Sequence, residues 1–197
     1  MKQEKLESIL DTAKKMFARY GLRKTSMDEI AHMARVAKAT IYNYFGSKDK
    51  VYMEVLRQEA SEIVEKISSS VAKESLPTDK LVAFARAKFR YMRKAMNLLN
   101  LDREGVEKLL PTAKDIRNKL FDQEVNIISS ILKEGVQKGT FHINDILLAA
   151  KAIAHALRGF ELNWLIQESE ERIDHYLDEL MNLLFYGLMS KERKIEV

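Results

Sequence analysis

Thr40, Tyr42, Asn43 and Tyr44 stand close together between Lys38 and Lys48. The chemistry these side chains offer is recognition of a nucleic acid, not bond making. Threonine can donate to or accept from a base edge, and its methyl can touch a thymine methyl. Asparagine can pair bidentately with adenine. A tyrosine hydroxyl can meet phosphate while its ring lies along the sugar. Lys38 and Lys48 bracket the segment as phosphate clamps. Stepped at about 100° per residue, Ala39, Thr40, Tyr42 and Asn43 fall away from the side that holds Ile41 and Phe45.

Such a polar edge needs elements that present it. Ser26 followed three residues later by Glu29 spells a capping box, so a helix begins near Met27. Ile30, Ala31 and Ala34 then share one face, and small alanines suit close packing on another helix. Arg35-Val36-Ala37 forms a turn, and a second helix covers roughly Lys38 to Phe45. Ile41 and Phe45 point inward with Val36 and Ala37. This is the outline of a helix-turn-helix, which lays its second helix in the DNA major groove. The N-terminus of that helix favours anions. Thr25, Ser26 and Arg35 complete the candidate DNA contacts with Lys38, Ala39, Thr40, Tyr42, Asn43, Tyr44 and Lys48.

The first 55 or so residues resemble the tetracycline-repressor (TetR) family. The resemblance is carried by Ala13, Phe17, Gly21, Thr25-Ser26, Ile30-Ala31, Ala34, Val36, Thr40-Ile41-Tyr42, Tyr44-Phe45 and Ser47-Lys48, all in register. It implies a homodimeric DNA-binding regulator, most often a repressor released by a small ligand. Two positions depart from the family pattern. The family usually has glycine where Arg35 stands, because the turn often takes a positive φ; arginine there costs about 1 kcal/mol. The family usually has a capping serine where Ala37 stands; alanine cannot cap, at a cost of about 1 kcal/mol. Arg35 is expected to compensate by gripping a phosphate.

Charge is distributed to match. Residues 1–57 hold 12 Lys and Arg against 7 Asp and Glu, a net of +5, while the remainder nets −1. A basic head on a near-neutral body fits a DNA-facing segment. With no cysteine, disulfides and thiolate metal sites are excluded. The start, MKQEKLESILDTAKKMF, is amphipathic and is not a signal peptide. No apolar run of about 18 residues exists, so no membrane span is expected. A cytoplasmic protein is the simplest expectation.

Two prolines and seven glycines in 197 residues argue for long helices, and no β-rich runs occur, so the chain reads as all-α. About nine helices are expected. The first runs from Lys2 to Tyr20, with Leu6, Ile9, Leu10, Ala13 and Phe17 inward and Gly21 ending it. The two helices of the hairpin follow. A long fourth helix after Gly46-Ser47 carries Val51, Val55, Ile63 and Ile67. Further helices are expected at Leu81–Leu99, Asp102–Leu110, Pro111–Gly139, Asn144–Ile166 and Glu170–Ser190. The division is a three-helix DNA-binding domain, residues 1–47, and a larger helical ligand-binding and dimerisation domain, residues 48–197.

The Asn144–Ile166 helix has two apolar stripes, as a helix buried between two layers does. One holds Ile146, Ile153, Leu157, Phe160 and Trp164; the other holds Leu148, Ala152, Gly159 and Leu162, with His155 among them. The second stripe, joined by Leu180, Leu184 and Leu188 of the last helix, is the expected dimer face, built as a four-helix interface. Two heads on a two-fold axis would then read a palindromic double-stranded operator. Phe89, Met92 and Met96, with Phe121, Ile128 and Trp164, are the candidate lining for a small apolar or amphiphilic effector. Glu124 falls inside an apolar stripe, where it could meet a cationic ligand, pair with a basic residue or reach the surface.

Two other classes compete. His32, His142, His155 and His175 show no paired Glu-x-x-His and no nucleophile elbow accompanies them, so a helical enzyme has little to work with. Glu171 and His175 are four apart and could share a metal, but that spacing is common as a surface contact. No metal, cofactor or catalytic residue is assigned. A non-specific architectural DNA-binding protein remains the other alternative; it would bind with salt-sensitive affinity but without a site.

Overall fold

A computed structural model describes residues 2–99 and 111–187. Among them are eight helices and no strands, in the order α1 Lys2–Lys24, α2 Met27–Met33, α3 Lys38–Phe45, α4 Lys48–Val71, α5 Pro77–Leu98, α6 Lys114–Gln137, α7 Ile146–Gln167 and α8 Glu170–Tyr186. The expected helix at residues 102–110 lies outside the described residues. Helix α5 starts at Pro77, earlier than expected, because proline has no N–H to lose in a first turn. Gly21 breaks α1 at φ 76°, ψ 163°, and the helix resumes to Lys24. Gly187, at φ 72°, is the C-cap of α8, and the expected stretch beyond it to Ser190 lies outside the described residues.

The contacts divide the chain into two compact units. The first comprises residues 1–66 and 91–124. Its core sets Ile9, Leu10, Ala13 and Phe17 of α1 against Ile30 and Ala31 of α2, Ile41 and Phe45 of α3, and Val51, Tyr52 and Val55 of α4. Phe17 and Tyr52 meet edge-on, with ring centroids 5.1 Å apart at 86°. The short helices α2 and α3 could not bury enough apolar surface alone, so α1 and α4 form the cradle that fixes them. Beyond that core, Lys14 of α1 forms ion pairs with Glu59 and, at 3.3 Å, Glu62 of α4. Burial works to lower the Lys14 pKa, but the two carboxylates outweigh it and the net shift is upward.

The second unit comprises residues 67–90 and 125–197. Phe84, Phe89, Ile128, Leu157 and Leu177 are fully buried there. Gly135 is required by close approach: a Cβ at that position would sit 2.0 Å from the Phe141 ring. The rings of Phe160, Trp164 and Tyr176 stack in succession at 4.5 and 5.2 Å, and Phe89 lies 5.2 Å from Trp164. Asp145 caps α7 by accepting from Leu148 N at 2.9 Å, and Ser169 caps α8 by accepting from Arg172 N at 3.2 Å. Lys88 is buried and pairs with Glu161 at 2.5 Å.

The two apolar stripes of α7 part company. Ala150, Ala154, Leu157 and Leu165 are buried, whereas Leu148 is 65 % exposed and Ala152, His155 and Gly159 share its exposure. The expectation that both stripes are covered is therefore not met within a single chain: the first is buried at Leu157, half-buried at Ile146, Ile153 and Trp164 and exposed at Phe160, and the second is open. On α8, Leu180 is half-buried and Leu184 exposed. The Leu162 side chain and residue Leu188 lie outside the described residues.

Candidate nucleic-acid interface

Helix α2 begins on a complete capping box. The Ser26 Oγ accepts from Glu29 N at 3.2 Å, and the Glu29 carboxylate accepts from Ser26 N at 2.9 Å and from Ser26 Oγ at 2.7 Å. The hydrogen bond from the Ser26 hydroxyl, and then that from its amide, hold the Glu29 pKa below its ordinary value. The seven-residue helix is thus anchored at its N-terminal end, the end that leaves α1, while its other end leads into the turn.

The turn is held by its backbone. Arg35 N donates to His32 O at 3.1 Å and Val36 N to Ala31 O at 3.0 Å. Arg35 stands at φ 54°, the one described non-glycine residue in the left-handed region. That is the conformation for which glycine is the relaxed choice. Ala37 takes the N-cap position of α3 and offers no side-chain hydrogen bond. It was expected to face inward, but it is exposed, because as a cap it lies outside the helical turn that packs Val36.

Helix α3 buries Ile41 and Phe45 and turns its other side to solvent. Ala39 and Asn43 are exposed, Tyr42 is 41 % exposed, and Thr40 is half-buried. These four residues form one continuous edge, as their spacing requires. Tyr44 belongs to the opposite side. Its ring packs against the core and lies 6.3 Å from that of Phe45, so the expectation that it offers a free ring to a sugar is corrected.

Thr25 is corrected more fully. It is 2 % exposed, and its hydroxyl donates to Gly21 O at 2.9 Å. Capping the broken end of α1 consumes the side chain, which leaves nothing for a duplex. Its carbonyl in turn accepts from Lys48 Nζ at 2.9 Å. Lys48 is therefore half-buried and braces the start of α4 against the start of α2. Lys38 is more open, at 63 % side-chain exposure, and pairs with Asp28 at 2.6 Å. Hydrogen bonding and charge from Asp28 raise its pKa. Its Nζ also lies 5.8 Å from the centre of the Tyr42 ring. Asp28 was not among the sequence candidates. It stands ten residues from Lys38, and no helical spacing rule reaches across a turn.

The candidate effector residues divide between the two units. Met92, Met96 and Phe121 are half-buried in the first unit; Glu124 there is 2 % exposed and is not left without a partner. Phe89 and Ile128 are buried in the second unit and Trp164 is half-buried. None of the seven lines either of two open clefts. One, of about 360 Å³, lies in the second unit among Leu81, Leu132, Phe141, His142, Ile153 and Leu184. The other, of about 190 Å³, lies in the first unit among Arg57, Ser61, Ile116, Lys119 and Gln123. Among the described residues no three His, Asp or Glu side chains group as a metal site, and no helix is long and apolar enough to cross a membrane.

Comparison with known proteins covers most of the chain. Residues 9–55 match a family model described as bacterial regulatory proteins, tetR family. Residues 77–181 match one described as tetracyclin repressor-like, C-terminal domain. A Bacillus subtilis protein named fatty acid metabolism regulator protein is 22 % identical over 96 % of this chain and 98 % of its own length. A transcriptional regulator from Cytophaga hutchinsonii superposes with a TM-score of 0.76 at 24 % identity, covering 92 % of this chain and 96 % of that one. The Bacillus subtilis regulator FadR in complex with stearoyl-CoA gives a TM-score of 0.65 at 20 % identity, covering 93 % and 99 %. At such identities the structural likenesses concern the fold.

Proposed function

The chain belongs to the tetR family of bacterial regulatory proteins, and we propose that it is a dimeric repressor that binds a palindromic operator through α3 and is released by a long-chain acyl compound. The family is one of DNA-binding regulators, not enzymes. The observation that carries the operator reading is the edge of exposed Ala39, Tyr42 and Asn43 and half-buried Thr40, set on a helix whose other side is locked by Ile41 and Phe45. Residues 1–47 serve as the DNA-contacting domain and residues 48–197 as the ligand-binding and dimerisation domain. Thr40, Tyr42 and Asn43 read base edges. Lys38 and Arg35 meet phosphates, with Lys48 acting as a brace, while the amide and hydroxyl of Ser26 are taken up by Glu29 rather than by the duplex.

The exposed stripe of Leu148, Ala152, His155 and Gly159 on α7, with Leu184 on α8, supports self-association. Gly159 has nothing within 4 Å of where a Cβ would stand, which leaves room for a second backbone. The effector class is suggested by the relatives: one is named for fatty acid metabolism, and another holds stearoyl-CoA. The protein would act in the cytoplasm, where operator and acyl thioesters meet.

Selection of bound fragments from the source genome, followed by footprinting, tests the reading. It should return a palindrome protected on two successive major grooves, and stearoyl-CoA should abolish the footprint. Salt-sensitive binding without any preferred site would overturn the operator assignment. A footprint unmoved by stearoyl-CoA and by shorter acyl thioesters would overturn the effector class alone.

A further inference from the structure

We propose that the Lys14–Glu59 ion pair locks α1 to α4 and thereby sets the half-site spacing the dimer accepts; this rests on the operator reading above. The apolar contact between α1 and α4 runs through Val51, Tyr52 and Val55. Glu59, the next turn of α4, is 6 % exposed and faces Lys14. Glu62 holds the same ammonium at 3.3 Å and is itself held by Lys66 at 3.0 Å. Lys66 in turn lies 5.8 Å from the centre of the Tyr91 ring on α5. Charges of alternating sign thus run from α1 along α4 to Lys66, which ends the series against the Tyr91 ring of α5, all within the first unit.

The reason for such a chain lies in what apolar packing cannot do. Hydrophobic attraction is non-directional, so the apolar contact resists a slip or tilt of α1 on α4 through shape alone and not through any paired group. A nearly buried carboxylate changes that, because moving its cation away leaves a charge uncompensated. The pair therefore selects one register. A slip of one residue along a helix is about 1.5 Å, nearly half the base-pair step of about 3.4 Å, and two symmetric heads double it. Lys14 is in this sense a positioning residue: it touches no nucleotide, yet it decides where α3 arrives.

The test measures affinity for operators whose half-sites are moved apart or together by one and two base pairs. The unaltered protein should prefer one spacer by tenfold or more, a factor within the range that a single mismatched base pair contributes. Lys14→Met alone leaves Glu59 buried and unpaired, so the deciding variant is Lys14→Met with Glu59→Met, which removes both charges. That variant should form dimers of unchanged mass and bind random DNA as before, with its preference among spacers reduced to within about threefold. Exchange of the charges, Lys14→Glu with Glu59→Lys, should restore the preference. A merely structural role would lower the melting point and weaken all spacers alike. An unchanged spacer profile in the double variant would overturn the lock and leave the operator reading intact. Failure to find any palindromic site would overturn both.

Discussion

The Asp28 carboxylate and the Lys38 ammonium lie 2.6 Å apart, joining the first turn of α2 to the first turn of α3 across the turn of the hairpin. The pair stands beside the N-terminus of α3, where no side-chain cap is present. It also neutralises the cation best placed for a phosphate. Both groups are more than half exposed, so the pair adds little to stability and matters mainly for charge. Asp28→Asn should free Lys38, tighten binding to random duplex and steepen the logarithmic salt dependence by about one unit. Gel-shift titrations from low to high salt would check this; an unaltered slope would count against a phosphate role for Lys38.

Thr40→Ala or Tyr42→Ala should weaken operator binding by about 1–3 kcal/mol and leave random DNA nearly untouched. Thr25→Val gives the contrasting case, since its buried hydroxyl caps Gly21 O. It should lower the melting temperature and leave the operator-to-random ratio unchanged. Competition binding with scrambled operator separates the two outcomes.

Arg35 at φ 54° and the uncapped Ala37 make the turn less stable than it could be. Arg35→Gly should gain about 1 kcal/mol by relieving the left-handed strain, and Ala37→Ser about 1 kcal/mol by capping α3. Denaturant titrations would register each. If Arg35 also grips a phosphate, Arg35→Gly will bind DNA less tightly at low salt despite its greater stability. Equal affinity would remove that role.

The ion pairs of α1 and α4 predict a pH profile. Burial works to raise the Glu62 pKa, but Lys66 and Lys14 outweigh it and carry it below 4.5. A lowered carboxyl contributes stability that is complete above 4.5 and fades as pH falls through the folded-state value. Lys14 has the opposite sign: its contribution is complete below 10.5 and fades as pH climbs above that. Melting curves should therefore show an acid decline beginning near pH 4.5 that Glu62→Gln makes shallower. An identical decline in the variant would show that the pairing contributes nothing.

Leu148, at 65 % exposure, is the most open large apolar residue on α7 among the described side chains. Leu148→Lys should convert the dimer to monomer at micromolar concentration while the circular dichroism of the fold persists. Light scattering that still shows a dimer would place the interface elsewhere.

The parts legible in the sequence were those decided by neighbours along the chain. The Ser26–Glu29 box follows from residue types at a fixed offset, the strain at Arg35 and the missing cap at Ala37 from the family pattern that those two positions depart from, and each stands in the structure. The polar edge of Ala39, Tyr42 and Asn43 followed from helical period alone. What escaped was decided across turns. Thr25 has a side chain that suits DNA, but a backbone break four residues earlier claims its hydroxyl. Lys48 reads as a phosphate clamp until Thr25 O is found beside it. Glu124 was rightly placed within an apolar stripe, and it is buried, but which of its three expected fates applied depended on packing that no local pattern contains.

Trp164 is the only tryptophan in the chain and sits in the ring stack between Phe160 and Tyr176. Its emission is therefore a single-site optical gauge of the second unit, with no other indole to dilute the signal. Mixing experiments that follow this emission beside the loss of labelled duplex could time which event comes first, without attaching any dye to the protein.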